Sequence, residues 1–163
     1  MEILSQYSYL GLFFIIFAEE AGVPIPIPGD IFIAAAAALP KSNYFIIVPT
    51  VVLATLIGST ILFTVSRKIG NPLVKKYGKY IRFTPEKLKK VESWFKKHGG
   101  TAIAIGRLVP GLRIINPIAA GTFKIDYKTF WFYTAIAAFI WANVYFAIGK
   151  FFGGILTFLT HTY

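Results

Sequence analysis

Residues 19–30 read Glu19-Glu20-Ala21-Gly22-Val23-Pro24-Ile25-Pro26-Ile27-Pro28-Gly29-Asp30. Proline fixes φ and has no backbone N–H, so three prolines at alternate positions forbid a continuous helix. Each also pushes the residue before it into extended conformation. Apolar runs flank the stretch, at 9–18 and 31–39. Arms of about ten residues fall short of the roughly 20 that cross a bilayer as one helix. Helix, break, helix predicts a re-entrant hairpin over 8–40, broken at Gly22, Pro24, Pro26, Pro28 and Gly29. Its unpaired backbone has to be buried in protein or line a wet cavity.

A similar object recurs downstream. Residues 101–108 are apolar apart from Arg107, Pro110-Gly111 interrupts them, and 113–121 resumes with Pro117 inside and Gly121 at its end. This predicts a second hairpin over 101–122, broken at Pro110, Gly111, Pro117 and Gly121. One uncharged apolar segment follows each hairpin, 44–66 after the first and 129–149 after the second. Both are long enough to span a bilayer. Hairpin–span, hairpin–span is an internal repeat in hydropathy. The fold expected is an all-α polytopic membrane domain over 1–163, with two opposed re-entrant hairpins arranged like an inverted-repeat transporter. Residues 151–163 are expected as a separate C-terminal apolar segment.

The composition agrees with a membrane setting. Hydrophobic residues make up 56% of the 163, and the formal charge is nevertheless +10; the mean hydropathy is +0.63. Such a pairing suits spans joined by basic loops. Eleven of the 17 basic residues fall within 67–97, against Glu86 and Glu92. The positive-inside rule places this region, 67–100, in the cytoplasm. Within it Thr84-Pro85 reads as a helix start and Gly99-Gly100 as a stop, which predicts a helix over 85–98. Its apolar stripe of Leu88, Val91 and Phe95, with Trp94 beside it, suits either an anionic leaflet or a solvated connector. Glu19, Glu20 and the prolines end the first apolar run without a small-residue cleavage site, so 1–22 is expected to be retained. There is no cysteine, which excludes disulfide and thiol chemistry.

A cytoplasmic basic region fixes the geometry. The first hairpin then enters from outside, the second from the cytoplasm, and both point to one midplane site. Charged groups lie at both breaks: Glu19, Glu20 and Asp30 at the first, Arg107 and Arg113 at the second. A charge at a helix centre costs about 2.5–3.5 kcal/mol on insertion scales, so each requires a partner or water. Two arginines suit a phosphate, because the planar guanidinium forms bidentate, charge-assisted contacts. Helix N-termini at Gly29-Asp30 and Gly111-Leu112 are expected to add backbone donors, and a carboxylate beside them offers a site of proton exchange. The set predicts binding and translocation of an anionic lipid, with proton coupling through Glu19 or Asp30.

The same residues carry a family resemblance. Glu19-x-x-Gly22-x-Pro24-x-Pro26 resembles the first motif of the DedA family, also called VTT-domain or SNARE-associated membrane proteins. Gly106-Arg107-Leu108-Val109-Pro110-Gly111-Leu112-Arg113, followed by Pro117 and Ala120-Gly121, resembles its second, R-x-x-P-x-x-R with P-x-x-A-G. The likeness spans roughly residues 8–150. It implies a bacterial or archaeal cell (inner) membrane protein that moves polyprenyl phosphate, or flips or scrambles phospholipids, with dependence on the proton-motive force. It also implies acidic roles for Glu19 and Asp30 and arginine roles for Arg107 and Arg113. Here Glu20 doubles the first acid, and Pro28-Gly29 shifts the second by about two positions.

Expected partners are membrane lipids, with anionic-leaflet contacts through the basic loop. No nucleic acid is expected, a homo-oligomer is compatible, and no cofactor or metal is implied. A lipid phosphatase is disfavoured because His98 and His161 lie outside the apolar segments and no nucleophile–base pair or metal-ligand cluster is present. An ion channel or small-solute exporter, and a structural assembly factor whose charges serve only folding, remain the alternatives. Trp131 and Trp141 read as belt or lipid-facing residues. Gly58, Gly106, Gly121 and Gly149 suit close helix contact, and Asn143 suits a hydrogen bond to a neighbouring helix.

Overall fold

The computed structural model describes residues 2–69, 85–109 and 112–161. Among them every regular element is helical: α1 Glu2–Glu20, α2 Gly29–Ala38, α3 Tyr44–Ile69, α4 Pro85–His98, α5 Gly100–Leu108, α6 Ile115–Thr122 and α7 Tyr127–His161. The break at Pro110-Gly111, the lysine-rich stretch 70–84 and the Thr84 cap lie outside the described residues.

The first break has a specific geometry. Gly22 adopts φ 91°, Val23 N–H bonds to Ala18 O and Gly22 N–H to Glu19 O, both at 3.0 Å. This is the Schellman arrangement, in which a left-handed residue past the helix end satisfies carbonyls that have lost their helical donors. Pro28, at φ −56° and ψ 135°, precedes α2. The α6 terminus closes the same way: Ile125 N–H bonds to Ala120 O and Lys124 N–H to Gly121 O, both at 3.0 Å. There the left-handed position is Lys124, at φ 55°.

Three boundaries differ from the hydropathy reading. α1 has 19 residues where an arm of about ten was expected, because its ladder continues into the uncharged polar residues Ser5, Gln6 and Ser8. Residues 151–163 do not begin a separate segment: α7 runs unbroken from Tyr127 to His161. Lys150 is a charge on an exposed position of that helix, and a charge ends a hydropathy window without ending a hydrogen-bond ladder. Pro117 and Gly121 are not breaks. Pro117 is the third residue of α6, in the first turn, where the missing N–H has no intrahelical partner to lose.

α3 and α7 are long and apolar enough to cross a membrane, over Tyr44–Ile69 and Tyr127–Ile155. α3 buries Ile47, Val51, Ala54, Thr55, Gly58, Leu62 and Phe63, while Leu53, Ile57 and Ile61 on its other face stay exposed. Apolar residues around the whole circumference are what a helix shows when its outer neighbour is lipid. The short helices pack on these two in an exchanging pattern. α1 lies on α3 and α2 on α7; α5 lies on α7 and α6 on α3. In each hairpin, the first arm meets the long helix of its own half and the second arm that of the other half.

All four seams carry a glycine. A Cβ on Gly58 of α3 would stand 2.5 Å from Phe17 O of α1, and one on Gly149 of α7 would overlap Ala34 O of α2. One on Gly121 of α6 would overlap Phe63 O of α3, and one on Gly100 of α5 would overlap the Tyr133 ring of α7. Gly106 instead admits Asn116 within the second hairpin; the Asn116 amide donates to Ile103 O at 2.6 Å. Tyr44 donates to Asn143 Oδ1 at 2.8 Å, linking the start of α3 to α7. Arg67 donates to Ile125 O at 2.6 Å with its guanidinium 5.2 Å from the Tyr127 ring, so it serves the protein interior, not the basic loop.

α4 departs from the surface helix foreseen. Phe95 is buried in a cluster with Phe63, Ala102, Ile103, Ala119, Ala120 and Phe130, and Val91 and Trp94 pack against it. A second cluster joins Leu12, Ile16, Ile33, Ile47, Val48, Val51, Ala54 and Ala142. Along α7, the stretch between Phe130 of one cluster and Ala142 of the other presents Ala137, Ala138 and Trp141 to the interior.

Gly58→Leu is expected to lower the melting temperature of the detergent-solubilised protein, at about 1–3 kcal/mol of overpacking. Gly11→Leu, where a side chain meets open space, leaves it nearly unchanged. Lys124→Gly is expected to raise it, since a left-handed non-glycine residue costs about 1–2 kcal/mol; a lower melting temperature would contradict the strain assigned to that turn.

Candidate functional site

The Schellman turn at Gly22 ends α1 so that its last two residues face different neighbours. Glu20 points inward above Gly58, whose missing Cβ would lie 2.7 Å from Glu20 Cβ. Glu19 turns towards α2, and Gly29 N–H donates to its Oε2 at 3.0 Å. A side chain on Gly29 would overlap that carboxylate and Ile16, so this position admits only glycine without rearrangement.

Glu20 is the centre of the cluster. Arg107 Nη2 donates to its Oε2 at 2.6 Å, and Arg113 Nε to its Oε1 at 2.5 Å. Arg113 continues with Nη1 to Asp30 Oδ1 at 2.8 Å. Trp141 Nε1 donates to the same oxygen at 2.7 Å, with the Arg113 guanidinium 6.0 Å from the Trp141 ring. The result is one connected row: Arg107, Glu20, Arg113, Asp30, Trp141. It draws on the ends of α1 and α5, the start of α2, the turn before α6 and the middle of α7.

Exposure grades along the row. The side chains of Glu20 and Arg107 are 2% and 4% accessible, whereas Arg113 and Asp30 reach 13% and 19%. Arg107 Nη1 is buried without a partner. Arg107 and Arg113 border a void of about 10 Å³ with Val51, Thr55, Ala137, Ala138 and Trp141. That is the room one water needs. The four ion-paired groups cancel in charge, two cations against two carboxylates, so the row tolerates burial only while intact.

Three expectations change. Motif position gave the first acidic role to Glu19, with Glu20 beside it as the other candidate; the carboxylate between the arginines is Glu20, and Glu19 accepts from the first N–H of α2. The N-termini at Gly29-Asp30 and Gly111-Leu112 were expected to be open backbone donors. Gly29 N–H is taken by Glu19, and the second helix begins at Ile115. Trp141, read as lipid-facing, is a member of the cluster, while Trp131 is exposed and donates to Thr60 on the outer surface. One signal in the sequence marked Trp141: it stands near the middle of the uncharged segment 129–149, away from either end where belt residues sit. An indole N–H at that depth needs an acceptor.

The two arginines of the row stand in the R-x-x-P-x-x-R stretch, and the chain matches the VTT domain over residues 27–160. The chain belongs to the DedA family. It is 32% identical over 163 residues to Protein DedA of Escherichia coli, covering 94% of this chain and 74% of that one. Uncharacterized membrane protein YbfM of Bacillus subtilis is 30% identical over 155 residues, covering 93% and 94% respectively. Undecaprenyl phosphate transporter A of Staphylococcus aureus is 30% identical over 173 residues, covering 99% of this chain and 84% of the relative. No solved structure matches it.

Two carboxylate substitutions separate the adjacent glutamates. Glu20→Gln leaves two buried guanidiniums short of counter-charge and is expected to cost about 3–5 kcal/mol, read as a large fall in melting temperature. Glu19→Gln keeps an acceptor for Gly29 N–H and is expected to cost at most about 1 kcal/mol. The reverse ranking would overturn the assignment. Trp141→Phe keeps a ring beside Arg113 and removes the donor to Asp30, an expected loss of about 1.5–3 kcal/mol for a hydrogen bond to a charged group.

Proposed function

We propose that this DedA-family membrane protein translocates an anionic, phosphate-headed lipid between leaflets, with polyprenyl phosphate and anionic phospholipid as the substrate classes. The observation that carries the reading is the Glu20 carboxylate held by Arg107 and Arg113 at once. A carboxylate bound by two guanidiniums occupies the place that two phosphate oxygens would take in the same geometry. In the resting protein Glu20 is the internal anion; a lipid phosphate competes for the same donors. The name of the Staphylococcus aureus relative supports this substrate class.

Depth supports the reading too. Gly58, beneath Glu20, is the fifteenth of the 26 residues of one candidate span, and Trp141 the fifteenth of the 29 of the other. With α3 and α7 crossing the bilayer and 67–100 in the cytoplasm of the cell, the cluster lies near the midplane. The hairpins α1–α2 and α5–α6 then dip from opposite faces, and their exchanging contacts with α3 and α7 fit an inverted repeat. Loss of the Asp30 or Glu20 contact would free the Arg113 guanidinium for substrate. Glu19, bound only to Gly29 N–H among the bonds described, offers a second protonatable carboxylate beside the row. Proton coupling through these acids is the driving step we propose.

The charge-balanced row also suits a structural lock with no substrate. Arginine-to-lysine variants discriminate, since lysine keeps charge and loses the bidentate fork. Arg107→Lys and Arg113→Lys proteins that remain folded are expected to lose tenfold or more of translocation, about 1.4 kcal/mol or greater, of polyprenyl phosphate or phosphatidylglycerol in proteoliposomes. Wild-type translocation by both variants would defeat the proposal, as would translocation of neither lipid by the parent protein.

A further inference from the structure

Sharing no lining residue with the void at the charged row, an open apolar cleft of about 370 Å³ lies between α4 and the second hairpin. That is the volume range of small-ligand sites. Its walls are Val91 and Trp94 of α4 with Ile105, Val109 and Leu112 of the hairpin, and Lys90 stands on its border. Gly106 also lines it, and Trp94 Cζ3 lies at ordinary contact distance, 3.7 Å, from where a Cβ on that glycine would stand. A narrower recess of about 50 Å³ continues from the same walls towards Asn116 and Ala119. Asn116 is the polar residue of that lining, and its Oδ1 is buried without a hydrogen-bond partner.

Charge decides what fits. Lys89, Lys90, Lys96 and Lys97 of α4 are exposed, and Glu92 is engaged by Lys96 at 2.8 Å. Among the described residues Lys90 is the charged one that lines this hydrocarbon cleft. Ile105, Val109 and Leu112 are 49%, 41% and 36% accessible, which keeps the cleft open along its length. The complementary object has a flexible apolar chain and an anionic head, and a basic residue near such a head adds attraction that a zwitterion does not give.

We infer that the cleft between α4 and the second hairpin binds an anionic membrane lipid, its tail against Trp94, Val109 and Leu112 and its head on Lys90. The seat is separate from the Glu20 row and does not depend on translocation. The full chain, reconstituted in phosphatidylcholine vesicles, is exposed to trace phosphatidylglycerol or phosphatidylcholine with a diazirine near the acyl terminus. After irradiation the labelled residues are mapped by mass spectrometry. Labelling of Val91, Trp94, Ile105, Val109 and Leu112 is expected to be about fivefold higher with the anionic probe, and Lys90→Glu is expected to remove the preference. Val109→Trp, which fills the cleft from an exposed position, is expected to reduce labelling there without lowering the melting temperature. Equal labelling by both probes would overturn the inference. So would label confined to outward residues of α7 such as Phe139 and Phe151, or an unlabelled cleft, the result expected if a protein segment covers it. Arg113→Lys, which tests the translocation reading, is expected to leave the anionic preference in place, so either idea can fail alone.

Discussion

A carboxylate with 2% of its side chain accessible sits between two arginines, and most of the fold is arranged to permit this. Removing three charges from water is costly, and only short, well-directed contacts offset the loss. Glu20 reaches that condition because α1 stops at a left-handed glycine and approaches α3 over Gly58. Arg107 reaches it from the last turn of α5 and Arg113 from the turn before α6. The helices that carry the opposite charges come from separate halves of the sequence, so the ion pairs tie one hairpin to the other. Asp30 and Trp141 then fix the more accessible end of Arg113, and Trp141 adds the long helix of the second half.

Adjacent glutamates with different duties follow from helix geometry. Successive residues on a helix point about 100° apart, so one carboxylate at the end of α1 can face inward while its neighbour faces α2. Glu19 satisfies the first N–H of α2 and so joins the two arms of the hairpin across the proline-rich crossing. Glu20 joins the hairpin to its counterpart. One acid shapes the hairpin and the other connects the halves, which is why their substitution is expected to differ in severity.

Much of this was legible in residue order. Prolines at alternate positions located the first break, and two long uncharged segments located the candidate spans; the arginines beside the Pro-Gly step are two members of the charged cluster. What hydropathy could not convey was which of Glu19 and Glu20 faces the arginines, because a one-residue difference is an angular one. Nor could it separate a proline that interrupts a helix from Pro117, which opens one; the two differ only in distance from a terminus that sequence does not print. Trp141 was misread because its type suits a membrane boundary and only its depth argued otherwise. Phe95 was misread because an amphipathic stripe is the same pattern whether lipid or protein covers it. The join at Lys150 was missed because charge and helix continuity are independent properties.

The glycines at the four helix seams bear on motion as well as on packing. Helices with large side chains interlock as ridges in grooves, and sliding one along the other lifts each ridge out of its groove. Where a glycine lies against a carbonyl or a small side chain, as Gly58 and Gly149 do, the surfaces have little relief. Displacement along such a seam disturbs few contacts, which is the mechanical requirement for shear between packed elements. The charged row, by contrast, resists displacement through direct bonds. Among the described residues the molecule thus combines low-relief seams along its long helices with an electrostatic catch between the hairpins, and the catch supplies the resistance to displacement that the seams do not.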